Sequence, residues 1–447
     1  MFEPLYSAEE MRAAEAGHDV DELMDRAGRS VADFILEEWG AEESVTVVCG
    51  PGNNGGDGRV AARVLREADC DVRIVESKPD DEEKDLGSPG LIVDALFGTG
   101  FTGEPRPGTA RLIEQMNSAG VDVVAVDIPS GVDASTGEVA GAVVDAVATV
   151  TFHHEKVGLR VAPGAFHSGD VEVVDIGLAD GETEHLKVTA EILDSVPLRS
   201  SSDTKYTAGS VLVVGGSPGL TGAACLAARA AFRADAGYVA VAAPSESLPV
   251  LEVQLLEAVK RSLDDVWDAV ERASALAIGP GLGRSDDRHA LVRRLLEETD
   301  LPAVVDADAL FGLEPFERSA GTVLTPHSGE LGRLLDIEAS WVDAHRLEAA
   351  RRAVDRFGCV VLLKGEGTIV AAPGERMLVC PGWPSLATAG TGDVLTGIIG
   401  AFLAKGMDAR LAAAAAATLH AEAAAEAPQR PGLVASDVIE MLPFVLS

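Results

Sequence analysis

The sequence predicts a protein of two α/β domains, each built on a mostly parallel sheet. Its 447 residues are too many for one ordinary hydrophobic core. Short apolar runs rich in β-formers alternate with segments of helical periodicity, a pattern typical of parallel α/β folds. A polar stretch from Ala179 to Asp203 interrupts the alternation, so we place the boundary there and predict domains at 1–198 and 199–447.

The predicted elements follow from this alternation. Ser7 to Leu36 carries apolar residues at helical spacing and predicts the leading helices. Continuous apolar runs then predict strands covered on both faces. These runs are 45–49, 72–75, 91–96 and 121–128 in the first half, and 210–214, 275–278, 303–305, 322–324, 360–363 and 368–370 in the second. The alanine-rich run 411–417 predicts a tightly packed helix, and the charged run 80–84 predicts a surface loop.

Composition restricts the setting and the partners. There are 72 acidic and 36 basic residues, and the net charge is -36. Only eight of the basic residues are lysine. Such a surface suits a solvent of high salt, in which self-repulsion is screened. It offers no basic face for nucleic acid. We see no spanning segment of about 20 apolar residues and no signal peptide, and therefore expect a cytoplasmic protein with no membrane partner. The five scattered cysteines are expected to be reduced and mostly buried.

Polar segments follow three successive strands of the first half. The first is the glycine-rich turn 50–58, ahead of a helix predicted to begin at Arg59. Its backbone N–H groups suit an anion, while its two asparagines and one aspartate can also hold ribose, carboxamide or a cation. The other segments are 94–103 and 127–133. Because the carboxyl ends of parallel strands meet at one edge of a sheet, the three segments predict one binding crevice.

These motifs resemble, in order and spacing, the NAD(P)H-hydrate epimerase (YjeF N-terminal) family over about 7–176. The resemblance implies interconversion of the two C6 epimers of hydrated nicotinamide cofactors. The implied substrate contacts are Asn53, Asn54, Gly55, Gly56, Asp57, Gly98, Thr99, Gly100, Phe101, Thr102, Gly103, Glu104 and Asp127. The resemblance also implies a potassium ion held by Asn54, Asp94 and Ser130, whose oxygen atoms suit a hard cation.

Two residues are candidates for the proton transfer. Asp127 is the first, because a positioned carboxylate near a cation can act as acid or base. Lys156 is the second, since the family also has a lysine there; the alternative is a solvated surface lysine. The neighbouring His153 and His154 are not typical of the family, and we assign them no role.

The second half carries a longer series of polar and glycine-rich segments. They are 215–223, 279–283, 306–310, 325–330, 364–368 and 390–397. In the last, Asp393 lies in the first turn of a predicted helix, behind Gly390 and Gly392. Free N–H groups there can stabilise a transferring phosphoryl group, and the carboxylate can accept a proton from the attacking hydroxyl. The alternative, an aspartate that only caps its helix, is disfavoured by the glycines before it.

This series resembles the ribokinase-like fold and, within it, the ADP/ATP-dependent NAD(P)H-hydrate dehydratase family, over about 200–443. The resemblance implies phosphorylation of the C6 hydroxyl and then loss of phosphate. It implies contact with the hydrated cofactor at Ala223, Gly281, His327 and Asp393, and contact with ADP or ATP, accompanied by magnesium, at Lys364, Gly365, Glu366, Gly367, Thr368 and Gly392. The alternative for His327 is a histidine with a purely structural role.

The combined prediction is a Rossmann-like three-layer domain followed by a ribokinase-like domain, in a bifunctional repair enzyme for NAD(P)H hydrates. The resemblance favours ADP as the donor, with ATP as the alternative, and we expect a homo-oligomeric assembly. Two alternatives stay open. One is a ribokinase-like kinase of another small molecule; the other is an N-terminal domain that binds a partner without catalysis.

Overall fold

The computed structural model describes residues 1–77, 84–429 and 431–446. The chain forms two compact units, an N-terminal unit of Pro4–Leu186 and a C-terminal unit of Lys187–Ser447 together with Met1–Glu3. This division comes earlier in the chain than the predicted boundary after residue 198, which stays a prediction for the two activities. Residues 80–83 of the predicted charged loop lie outside the described residues. Within the described part, no helix is both long enough and apolar enough to cross a bilayer.

The chain begins with β1 (Phe2–Leu5), and the N-terminal unit then builds a six-stranded, fully parallel sheet in the order β3-β2-β4-β5-β6-β7. Its strands are β2 (Val45–Cys49), β3 (Val72–Glu76), β4 (Leu91–Ala95), β5 (Asp122–Val126), β6 (Ala148–Phe152) and β7 (Asp170–Val174); its helices are α1 (Ala8–Glu15), α2 (Val20–Glu38), α3 (Asn53–Glu67) and α4 (Pro107–Asn117). One apolar cluster packs α2 and α3 against the strands, and a separate cluster packs α4 against them. The predicted three-layer arrangement is therefore confirmed.

The glycine-rich segment after β2 differs from its prediction. We expected a turn with a helix from Arg59, but α3 begins at Asn53 and includes Gly55, Gly56 and Gly58. Glycine is a poor helix former, and close packing explains its use here. A Cβ at Gly55 would overlap the Gly50 carbonyl, and a Cβ at Gly58 would overlap the Ala95 side chain. Tertiary packing thus overrides local preference, and the start of α3 lies directly against the sheet.

The C-terminal unit is built on an eleven-stranded sheet in the order β1-β8-β17-β16-β15-β14-β13-β12-β9-β10-β11. Its further strands are β8 (His185–Val188), β9 (Ser210–Val214), β10 (Tyr238–Ala243), β11 (Val259–Ser262), β12 (Ala275–Ile278), β13 (Ala303–Val305), β14 (Thr322–Leu324), β15 (Val360–Leu363), β16 (Thr368–Ala371) and β17 (Met377–Cys380). Neighbouring strands from β11 to β15 pair in parallel, and β15, β16 and β17 pair antiparallel.

Ten helices belong to the described part of the C-terminal unit. They are α5 (Thr221–Arg233), α6 (Leu248–Gln254), α7 (Val266–Val270), α8 (Asp286–Glu298), α9 (Ser328–Leu335), α10 (Ala339–Ala344), α11 (Arg346–Phe357), α12 (Thr391–Ala404), α13 (Ala409–Glu426) and α14 (Ala435–Val445). The alanine run predicted to be a packed helix lies in α13, where it is almost entirely buried. In both sheets the chain reverses its direction of winding, between β2 and β4 and between β9 and β12, and ligands bind at such switch points.

Candidate functional site

At the switch point of the N-terminal unit, three predicted cation ligands come together. Asp94, near the end of β4, is fully buried and accepts hydrogen bonds from the backbone N and the Oγ of Ser130, both at 2.8 Å. Asn54, in the first turn of α3, donates from Nδ2 to the Phe97 carbonyl at 2.9 Å. The Phe97 amide in turn donates to Ser130 Oγ at 2.9 Å. The loop at Phe97 therefore links the two halves of the cluster.

Burial dominates the electrostatics of this cluster. Burial raises the pKa of Asp94 to about 6, although hydrogen bonds from Ser130 and Leu96 oppose the shift. Asn54 Oδ1 is buried and has no hydrogen-bond partner among the described residues. An unsatisfied buried acceptor is costly, and a cation beside it and the carboxylate would remove that cost. The donors are all oxygen atoms, so the residues fit a hard cation such as potassium.

Asp127 follows β5 and forms a buried ion pair with Lys156. Its Oδ1 lies 2.6 Å from Lys156 Nζ and accepts from Thr151 Oγ1 at 3.3 Å. Its Oδ2 accepts from the Thr99 amide at 3.3 Å. Lys156 is completely buried, and Nζ also donates to the Phe152 carbonyl at 2.8 Å. The alternative of a solvated surface lysine is therefore wrong.

A second carboxyl group lies in the field of this ion pair. Burial raises the pKa of Asp57 to about 8; the charges of Asp127 and Glu15 add to this rise, and Lys156 opposes it. Asp57 is thus largely protonated at neutral pH and can donate a hydrogen bond or a proton. The sequence placed Asp57 among the substrate contacts, but it gave no sign of Glu15 or Thr151. Glu15 raises the pKa of Asp57 and Thr151 donates to Asp127, and both effects depend on packing between elements distant in sequence.

The other predicted contacts of this unit differ in accessibility. Gly55 is buried in α3, whereas Asn53 at the start of that helix is exposed. Phe101 stacks on Phe97 with ring centroids 4.5 Å apart. Along the same loop, Gly98 and Thr99 are half-buried, and Gly100, Thr102, Gly103 and Glu104 are exposed. The loop is thus half-buried at its base and exposed at its tip.

In the C-terminal unit, two glycine turns pack together at the switch point. The Gly216 amide donates to the Pro280 carbonyl at 2.9 Å, and the Ser217 amide to the Gly281 carbonyl at 2.6 Å. Gly281 has a φ of 59°, and a Cβ there would clash with the Leu220 carbonyl just before α5. Only glycine suits this position. Gly281 therefore lies beside the first turn of α5, which contains Ala223.

At the edge of the sheet, Lys364, which follows β15, connects Asp306 after β13 and Glu330 of α9 to the start of α12. Its Nζ lies 2.8 Å from Asp306 Oδ1 and 3.7 Å from Glu330 Oε2. Asp306 Oδ2 accepts from Thr396 Oγ1 of α12 at 2.7 Å. A Cβ on Gly392 would be 3.6 Å from Lys364 Nζ. The ammonium group therefore lies against the Gly-Thr-Gly-Asp turn that begins α12.

Burial and the neighbouring charges set the protonation of Asp393, the central acid of this cluster. Burial raises the pKa of Asp393 to about 7, with further rises from Asp306 and Asp308 and an opposing effect of Lys364. For Lys364, burial lowers the pKa, but Asp306 and Glu330 outweigh it and the net shift is upward. Lys364 therefore stays a cation. Asp393 titrates near neutral pH, where a general base is most effective.

His327 and the turn after β15 have structural duties of their own. His327 Nδ1 accepts from the Gly329 amide at 3.0 Å and caps α9. The ring is still half-exposed, so the cap leaves it available to a ligand.

Arg346 is buried and donates to the carbonyls of Leu363 and Lys364 at 3.4 Å. It shapes the predicted nucleotide turn Lys364 to Thr368, and the sequence did not reveal it.

Comparison with known proteins identifies both halves. Residues 211–443 match the family described as NAD(P)H-hydrate dehydratase, and residues 20–88 and 68–158 match the family described as YjeF-related protein N-terminus. The chain is 38% identical to the bifunctional NAD(P)H-hydrate repair enzyme Nnr of Moorella thermoacetica, over 95% of this chain and 92% of that protein. The chain belongs to the family of bifunctional NAD(P)H-hydrate repair enzymes. The Nnr of Salinibacter ruber is 36% identical, over 99% and 96% of the two chains.

Solved structures confirm the ribokinase-like fold of this family member. The ADP/ATP-dependent NAD(P)H-hydrate dehydratase of Bacillus subtilis, co-crystallised with ATP/Mg²⁺, is 30% identical with a TM-score of 0.53, covering 57% of this chain and 96% of its own. A ribokinase-like superfamily protein of Enterococcus faecalis is 23% identical with a TM-score of 0.54, covering 60% and 97%; it supports the fold alone. The residue roles predicted for this repair enzyme stay predictions.

Proposed function

We propose that the N-terminal unit equilibrates the R and S epimers of NAD(P)H hydrates and that the C-terminal unit converts the S hydrate to NAD(P)H. The observation that carries the proposal is the pairing, in one chain, of the Asp127–Lys156 ion pair with the Asp393–Lys364–Asp306 cluster. The two reactions are consecutive, because epimerisation supplies the S hydrate that the dehydration consumes. One chain that carries both units therefore performs the complete repair. Full-length similarity to bifunctional repair enzymes supports this reading.

For the dehydration, we assign Asp393 as the base that takes the proton of the C6 hydroxyl. The hydroxyl oxygen then attacks the terminal phosphoryl group of ADP or ATP, and the bond from that phosphorus to the bridging oxygen breaks, so that AMP or ADP leaves. Backbone N–H groups at the start of α12, which lack intrahelical acceptors, stabilise charge on the transferring group together with Lys364. Phosphate leaves C6 far more readily than hydroxide does, and loss of phosphate together with a proton from C5 forms the C5–C6 double bond and restores the dihydronicotinamide ring. Magnesium supplied with the nucleotide would neutralise phosphate charge.

For the epimerisation, we assign proton transfer to Asp127, with Lys156 as the group that holds its charge. Asp57 supplies a neutral carboxyl group that can donate a hydrogen bond or a proton to the substrate. The loop Gly98 to Glu104 covers the bound substrate. We further infer that Asn54, Asp94 and Ser130 hold a potassium ion. That ion would supply fixed positive charge beside the substrate.

Potassium binding has a measurable consequence for stability. An ion that binds only the folded state at 100 times its dissociation constant stabilises it by about 2.7 kcal/mol. Replacing KCl by tetramethylammonium chloride at constant ionic strength should therefore lower the Tm of the wild-type chain. Calorimetry of Asp94→Asn should show a Tm that no longer depends on potassium. A wild-type Tm identical in both salts would rule out the potassium assignment.

The whole function is tested by recovery of NADH from a mixture of R and S hydrates. With ADP or ATP and the wild-type chain, we expect complete recovery by absorbance and one phosphate released per NADH formed. A stable phosphorylated product instead would indicate the alternative, a small-molecule kinase. Recovery that stops after the S half would indicate the other alternative, an N-terminal unit that does not catalyse.

A further inference from the structure

Two consecutive histidines of the N-terminal unit take no part in the proposed sites, yet their rings lie together. In an extended strand, successive side chains point to opposite faces. His153, directly after β6, instead has a φ of 66°, in the left-handed region. Its ring centroid lies 4.3 Å from that of His154. Tyr6 packs against both rings, edge-on to His153 at 5.0 Å and stacked on His154 at 5.1 Å. The pair is therefore held on one side of the chain.

A carboxylate completes a three-residue cluster. Asp180 Oδ1 lies 2.8 Å from His154 Nε2. One ligand atom from each of Asp180, His153 and His154 lies within 4.8 Å of the others. His153 is only 7% exposed, and its Nε2 is buried without a hydrogen-bond partner among the described residues. A buried ring nitrogen without a partner costs stability, and a bound ion is one means of satisfying it.

We propose that His153, His154 and Asp180 bind one divalent transition-metal ion of the zinc type. Two imidazole nitrogens and one carboxylate oxygen suit Zn²⁺, Ni²⁺ or Cu²⁺ better than Mg²⁺ or K⁺. Given Zn–N distances of about 2.0–2.1 Å, the ligand atoms of a tetrahedral site lie about 3.3 Å apart. The ligand atoms, which lie within 4.8 Å of one another, would have to close to that spacing on binding, and a water molecule would take the fourth position.

The protonation of the cluster is compatible with metal binding. Burial lowers the pKa of His153, which favours the neutral ring that a metal ion requires. The positive charge of Lys156 disfavours a further positive charge at His153, whereas the carboxylates of Asp175 and Asp180 favour it. Binding at His154 Nε2 requires its proton to move to Nδ1 or to solvent. The proposal is independent of the epimerase assignment, because none of the three ligands has a role there.

The test is a titration of the chelator-treated full chain with Zn²⁺, in excess Mg²⁺ to occupy the many surface carboxylates. We expect one equivalent of tight binding and a rise in Tm, and with Co²⁺ a visible spectrum typical of tetrahedral nitrogen and oxygen ligands. His153→Ala, His154→Ala and Asp180→Asn should each weaken Zn²⁺ binding at least about tenfold. Even the loss of a residue that only orients a metal ligand typically costs about 10–100-fold in affinity. The exposed His18→Ala is the matched control and should bind as the wild type does.

Asp180→Asn keeps the test sharp if a histidine variant folds poorly, because the Asp180 side chain is 77% exposed. Its Tm without metal should equal that of the wild type. Three results would overturn the proposal: no stoichiometric Zn²⁺ binding in the wild type, binding that excess Mg²⁺ displaces, or equal affinity in the wild type and Asp180→Asn.

Discussion

Asp393→Asn should lower kcat for NADH recovery from the S hydrate by at least about a hundredfold, since general-base catalysis contributes about 10²–10⁴-fold. The substitution keeps the size of the side chain and removes only the proton acceptor. The rate is followed by NADH absorbance with ADP saturating. In the wild type, activity should fall about tenfold per pH unit below pH 7, because protonation of a base with a pKa of about 7 removes the acceptor. The residual activity of the variant should lack this dependence.

Stability distinguishes a catalytic from a structural role for Asp393. Its pKa is raised by burial to about 7 in the folded chain from an ordinary value of 3.8. The folded state therefore holds the proton more tightly than the unfolded state does. Above pH 7 the ionised carboxylate costs stability, and that cost fades as the pH falls through 7 toward 4. At pH 8, Asp393→Asn should melt at or above the wild-type temperature. A clear drop in Tm would mean that lost structure, not lost chemistry, explains the lost activity.

Asp287→Asn is the matched control, since Asp287 is an exposed aspartate in the first turn of α8. It should leave both kcat and Tm unchanged. Activity lost equally in both variants would remove the assignment of Asp393 as the base.

The sequence predicted best where burial on both faces leaves a continuous apolar run. β9, β12, β13, β14 and β15 have the bounds read from the sequence. β6 was missed because Thr149 and Thr151 interrupt its apolar residues, although both are buried and Thr149 Oγ1 donates to the Ser168 carbonyl at 2.6 Å. The edge strand β11 was missed because it is half-exposed and charged. Periodicity reports apolar burial and cannot report a buried hydroxyl with a partner elsewhere in the chain.

The sites show the same limit. Strand ends and glycine spacing indicated where ligands bind, since those are properties of the local chain. The identity of the partners was not local. Lys156 is buried because Asp127 lies opposite it, and Asp306 joins Lys364 to Thr396 across elements far apart in sequence. His153 and His154 looked incidental until the left-handed turn between them and β6 was known.

Asp127→Asn should make recovery from the R and S mixture biphasic. The S half should be recovered at the wild-type rate, and the R half should stall by at least about a hundredfold, because proton transfer by a positioned side chain contributes about 10²–10⁴-fold. The fast phase is an internal control for an intact dehydratase in the same chain. Asp33→Asn, an exposed aspartate of α2, is the matched control and should give a single wild-type phase. Equal rates for both halves in Asp127→Asn would overturn the epimerase assignment of Asp127.

The buried partner of Asp127 requires one more variant. Removing one member of a buried ion pair typically costs about 3–5 kcal/mol, because the remaining charge is unpaired. Among the described residues, Lys156 Nζ would keep its hydrogen bonds to Thr151 Oγ1 and to the Phe152 carbonyl but would lose the negative charge of Asp127. The single variant could therefore lose epimerase activity through unfolding of its unit. The double variant Asp127→Asn/Lys156→Met removes both charges, and calorimetry should show much of that loss recovered. If the double variant is stable and still stalls on the R half, the charged pair acts in the chemistry and not only in folding; if it regains the wild-type rate, neither charge is needed for the epimerisation.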